Sequence, residues 1–185
     1  MAFNSINLQK IITTNDVEID LSDDHNNISS LTLSNIHGSN AVAVDLYIET
    51  STGDTNYITN SGATVNNSPN GYSVTGVPQT VAMTGTAATS DGFLNKKIYK
   101  SDGTLFGTCT AFGSGTSVTL GEIESAMAHA DPLYTPTKYY IIKDVSIPAG
   151  ATLNIENAEV NIDQSNFSLW INASVASVVD VIIRP

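Results

Sequence analysis

The side chains able to do chemistry in this sequence are few and scattered. His25, His37 and His129 lie far apart, the first two in turn-like stretches and the third near the end of a predicted helix. No two histidines have the spacing of zinc ligands, and no serine follows the pattern of a nucleophile turn. The single cysteine, Cys109, sits in a strand-like run without a neighbouring His or Lys to lower its pKa, so it reads as a small buried hydrophobe. Gly113-Ser114-Gly115 lacks the Lys-Ser/Thr that a phosphate loop requires and reads as a turn.

The carboxylates offer more. Asp16, Glu18 and Asp20 alternate along a predicted strand and so share a face, with roughly 7 Å between successive side chains. Such a ladder could hold calcium together with Asp23 or Asp24, or it could be a charged edge that stops sheets adding to one another; the second reading is the stronger. Lys96, Lys97 and Lys100 form the one basic cluster, too short to outweigh a net charge of −11. A field of that sign repels phosphate backbones and anionic lipid heads, which argues against nucleic acid and membrane partners. Trp170 shares its strand face with Ser168 and Asn172. It reads equally as an exposed aromatic anchoring an interface or as part of a satellite core beneath an inserted segment.

The elements that would position these residues are strands. Only 14% of the 185 residues are charged, so the polar surface is built from Ser, Thr and Asn, which suits pleated sheets better than helices. Alternation marks Val17–Leu21, Leu31–Leu33, Val42–Ile48, Leu153–Ile155, Val160–Ile162, Phe167–Ala173 and Val179–Ile183, and Lys138–Ile147 is apolar and β-rich. Between the two groups, the stretch from Ser51 to Gly71 reads as a linker or long loop. Short β runs follow at Tyr72–Val77 and Val81–Thr84, then a hairpin around Ser101-Asp102-Gly103-Thr104. A single short helix is predicted over Glu122–His129, with Ile123 and Met127 on one face and Asp131-Pro132 ending it.

The expected fold is therefore an all-β, antiparallel β-sandwich, Ig-like or jelly-roll-like, formed by residues 1–58 and 135–185. An inserted small β module with one short helix occupies residues 59–134. Charge divides the same way: 59–134 carries three Lys and five acids, the remainder four basic residues and thirteen acids. Met1–Asn7 has neither the basic head nor the apolar run of a secretory signal, which predicts a protein that stays in the compartment where it is made.

The stretches Ile28–Ile48, Tyr139–Leu153 and Ile171–Ile183 resemble a family of small β-sandwich proteins from the structural gene clusters of tailed phages, especially those of marine cyanobacteria. The run Asp91–Tyr134, with Lys97-Ile98-Tyr99-Lys100-Ser101-Asp102-Gly103, is similar to a small β module that recurs in virion proteins. The resemblance implies a virion component assembled in the host cytoplasm, without catalytic residues, cofactor or metal. Its partners would be other virion proteins, such as the major capsid or neck and tail proteins, and further copies of itself. Capsid decoration leads over a neck, collar, fibre or other tail station, and a carbohydrate-binding module stacking sugars on Trp170 and tyrosines is the alternative of another class. Within that reading the terminal run Val178–Ile183, with Asp180 as its one charge, looks like an unprotected sheet edge. Trp170, Val179, Val181 and Ile183 are then the expected interface residues.

Overall fold

The computed structural model describes residues 7–11, 14, 16–19, 30–85, 93–113, 116–156, 163, 165–176 and 178–184. The chain divides into two compact units, Met1–Ser51 with Lys138–Pro185, and Thr52–Thr137. The sequence puts the joins at 58/59 and 134/135. They fall instead at 51/52 and 137/138, because Ile58 and Pro136 pair with each other inside the second unit.

The first unit is an antiparallel β-sandwich. One sheet holds β1 (Asn7–Ile11), β14 (Val179–Arg184), β3 (Ser30–Asn35) and β12 (Thr152–Glu156), in that order. The other holds β11 (Tyr139–Ile147), β4 (Val42–Thr50), β13 (Phe167–Ala173) and β2 (Val17–Ile19). Successive strands of this unit alternate between the sheets, except that β4 and β11 are neighbours and carry the second unit between them. This is an eight-stranded jelly roll. Period-2 alternation builds it directly: Leu31, Leu33, Val42, Val44, Leu46, Leu169, Ile171, Val179, Val181 and Ile183 all point into one core. Asn35, 1% exposed, ties the loops at one end. Its Nδ2 donates to the carbonyls of Ile147 (2.8 Å) and Asn40 (3.0 Å), and its Oδ1 accepts from the His37 amide (2.8 Å).

The second unit is a closed barrel of six strands, ordered β10 (Pro132–Pro136), β5 (Ile58–Val65), β6 (Gln79–Thr84), β9 (Ser117–Leu120), β8 (Leu105–Gly113) and β7 (Lys97–Tyr99). The Tyr134–Tyr99 pair joins β10 to β7 and closes it. Closure removes the exposed edges that a small open sheet would present. Ala63, Val65, Val81, Met83, Ile98, Phe106, Val118, Leu120 and Leu133 fill the interior. The hairpin at Ser101–Thr104 forms where expected: Gly103 has φ 82°, and the Asp102 carboxylate accepts from the Thr104 amide at 2.9 Å. That bond holds the exposed Asp102 carboxyl below its ordinary pKa.

This unit differs from the sequence expectation in two places. The predicted linker contains β5, whose inward residues, Ala63 and Val65, are too sparse to stand out among Asn60, Ser61, Gly62 and Thr64. The predicted helix over Glu122–His129 is an extended segment. The backbones of Ile123 and Thr75 exchange both hydrogen bonds, as do those of Met127 and Tyr72. A spacing of four residues satisfies a strand's period of two as well as a helix's period of 3.6, and here the first applies. Asp131-Pro132 leads into β10 rather than ending a helix.

Candidate functional site

The residues expected at an interface are interior. Val179 and Val181 are fully buried and Ile183 is 4% exposed, all in the sandwich core. β14 is not an edge: it pairs with β3 along its whole length and with β1 on its other side. The strand that covers it, β1, is five residues long, Asn-Leu-Gln-Lys-Ile, with little alternation to mark it in the sequence. Trp170 does lie opposite the core-facing Leu169 and Ile171, but it is only 8% exposed and offers no open stacking face.

The carboxylate ladder is divided. Glu18 is exposed on β2, which is at the edge of its sheet among the described strands, whereas Asp16 is buried and Asp20, Asp23 and Asp24 lie outside the described residues, as do His25 and the strand expected at Val160–Ile162. Asp16 serves a cluster on the sheet face turned away from the core. Lys138 Nζ meets its Oδ2 at 2.7 Å, Asn172 Nδ2 donates to its Oδ1 at 3.2 Å, and the Tyr47 phenol also donates to it. The Lys138 ammonium also stands 4.4 Å from the centroid of the Tyr47 ring. Burial, with the negative charges of Glu49 and Asp16 added, pushes the Tyr47 phenol well above its ordinary pKa, so it remains a protonated donor. The chemistry of this cluster is structural: it fastens the start of β2 and the start of β11 across β4 and β13.

Tyr47 continues outward to Tyr140 on β11, with ring centroids 5.5 Å apart, and Lys143 Nζ lies 4.9 Å from the Tyr140 ring centroid. β11 is an edge strand with two register shifts. Asp144 lies in the left-handed region at φ 52°, its amide donating to the Asp45 carboxylate at 2.6 Å. Tyr139 and Tyr140, 42% and 41% exposed, are the large aromatics this unit presents among the described residues. Nothing in their spacing distinguishes them from buried strand residues. The other exposed apolar side chains sit on loops: Ile36 and Val175 in the sandwich, Val74 and Val77 in the barrel unit.

The remaining candidates are structural. Lys96 is 2% exposed, while Lys97 and Lys100 are half-buried, so the three form no exposed basic patch. His37 Nδ1 accepts from the amides of Ser39 (3.2 Å) and Asn40 (3.1 Å) and shapes its loop. Among the described residues no group of three or more His, Cys, Asp or Glu is placed to hold a metal ion.

Cys109 is fully buried in the barrel core, and burial pushes its thiol up to about 11 from 9.0. A folded-state value above the unfolded one means the native thiol keeps its proton while the unfolded one loses it. This contribution to stability is therefore intact below pH about 9 and is lost as the pH climbs toward about 11. Cys109→Ala should flatten that alkaline decline of the barrel unit in denaturant titrations at stepped pH; an unchanged slope would show that other groups cause it.

No protein-family model, curated protein or solved structure matches this chain.

Proposed function

We propose that the chain is a non-enzymatic structural protein of a tailed bacteriophage particle, acting by assembly and placed as a capsid decoration ahead of a neck or tail component. Its partners are other virion proteins and further copies of itself. The observation that carries this reading is where the exposed apolar surface lies. Tyr139 and Tyr140 on an edge strand, and Ile36, Val175, Val74 and Val77 on loops, suit contact with a neighbouring subunit rather than enclosure of a small substrate. Double-sheet jelly rolls recur in viral capsid and lectin domains, which supports the reading by analogy of fold alone. The family resemblance of Ile28–Ile48 and Tyr139–Leu153 adds to it. Quantitative mass spectrometry of purified particles tests the proposal: a fixed copy ratio to the major capsid protein is expected, and absence from the particles would overturn it.

A second reading, glycan binding, is favoured by the exposed Tyr139 and Tyr140 with Lys143 over the Tyr140 ring. Aromatic faces at a sheet edge can stack on sugar rings. Saturable glycan binding abolished by Tyr140→Ala would favour it over assembly.

A further inference from the structure

The Asp16 cluster holds more than an ion pair requires. Lys138 Nζ donates to Asp16 Oδ2 at 2.7 Å, Asn172 Nδ2 donates to Asp16 Oδ1 at 3.2 Å, and the Tyr47 phenol donates to the same carboxylate. The Asp16 side chain is 3% exposed, and the Lys138 ammonium is backed by the Tyr47 ring, 4.4 Å from its centroid. A primary amine is thus held against a nearly dry carboxyl group that already carries donors on both oxygens. An ion pair in such surroundings has given up much of its hydration. The uncharged amide that the same two groups can form carries no such penalty. Fixing two reacting groups in contact is equivalent to an effective concentration of roughly 10⁵–10⁸ M, which offsets the unfavourable equilibrium of amide formation in open water.

We infer that Lys138 and Asp16 condense into an intramolecular isopeptide bond, joining Nζ to Cγ with loss of one water. The ion pair is the reactant. One proton passes from the ammonium to Oδ2 along their hydrogen bond, and the neutral amine attacks Cγ. The negative charge that develops on Oδ1 is met by the Asn172 amide, while the Tyr47 phenol, kept protonated by burial, remains a donor throughout. A second proton then moves from the nitrogen to Oδ2, the Cγ–Oδ2 bond breaks and Oδ2 departs as water, leaving one hydrogen on the amide nitrogen. Ammonium and carboxylate become amide and water, so charge and atoms balance and no oxidant, activating nucleotide or cofactor enters. The bond links positions 122 residues apart and closes a covalent loop that contains the whole Thr52–Thr137 unit. It straps β2 to β11 across β4 and β13, so that pulling on the chain cannot peel that sheet from either side. This goes beyond the proposed assembly function and does not depend on it.

Intact-mass spectrometry of the purified full-length chain tests the inference. Wild type should be lighter than its sequence mass by one water, whereas Lys138→Arg, which keeps the positive charge but has no primary amine, should have its full mass. Trypsin should fail to cut wild type after Lys138 and should release a branched peptide that joins the Lys138 and Asp16 segments. Asn172→Ala, which removes the donor to Oδ1, should accumulate the linked form about 100-fold more slowly. An equal rate would overturn the part given to Asn172. Wild type that keeps its full mass after prolonged incubation in native buffer would overturn the isopeptide bond itself, as would a loss of water that persists in Lys138→Arg.

Discussion

Replacing Lys138 by Met is expected to destabilise the sandwich unit by about 2–4 kcal/mol at neutral pH, the largest single effect expected among its surface-near residues. The Asp16 side chain is 3% exposed and its Oδ2 lies 2.7 Å from Lys138 Nζ, so removing the ammonium leaves a buried carboxylate short of its cation. Methionine fills the same volume over the Tyr47 ring, so lost packing contributes little. Because Lys138 itself keeps 23% exposure, the cost falls below that of a fully enclosed pair. Asp16→Asn combined with Lys138→Met removes both charges and should recover about 1–3 kcal/mol relative to the sum of the single changes. The readout is built in: Trp170, the one tryptophan, lies on β13, so its fluorescence during urea unfolding follows this unit. Equal stability of wild type and Lys138→Met would mean that the ion pair contributes nothing to holding β11 and β2 in place.

The second large effect belongs to the barrel unit. Gly71 has φ +63°, and a Cβ added there would lie 2.1 Å from the Met127 carbonyl oxygen, in the segment where Tyr72 and Met127 exchange backbone hydrogen bonds. Gly71→Ala should therefore cost about 3 kcal/mol or more, combining the left-handed penalty with a clash against backbone that cannot move without breaking that bridge. Cys109, buried in the same core, becomes reactive when the unit opens and so reports on it. With Gly71→Ala, Cys109 labelling should rise at lower urea while the Trp170 transition stays in place. Leu33→Ala, which empties a fully buried site of the sandwich core, should do the reverse at about 2–5 kcal/mol. Two transitions that always shift together would show that the cores unfold as one.

Much of the sandwich was legible because its strands carry strict alternation. Val42, Val44 and Leu46, or Leu169, Ile171 and Ala173, put every second side chain inward, and that rule names the core face without knowledge of partners. Which strands are edges was not legible, since an edge depends on pairings between distant stretches. β14 is covered by β1, a strand from the start of the chain, so it is not an edge, and Val179, Val181 and Ile183 face the sandwich core rather than a partner. Trp170 shows the same limit: the two faces of a strand can be told apart by sequence, but whether the outer one is covered cannot. The barrel was harder because its walls use small inward residues, Ala63 beside Gly62 and Ser61, and because Ile123 and Met127 fit either period. The pairing of Asp16 with Lys138, which are separated by 122 positions, left no local signal at all.

If the chain works through its surfaces, as proposed, both cores are complete before any partner is met. Amide hydrogen exchange, compared between the free chain and the chain in purified particles, tests this most directly. Slow exchange in the core strands β3, β4, β8 and β13 should be unchanged. Added protection should be confined to exposed ground, namely the Tyr139–Lys143 stretch of β11 and the loops bearing Ile36, Val175, Val74 and Val77. Indistinguishable exchange in the two states, or protection gained only in the core strands, would contradict it.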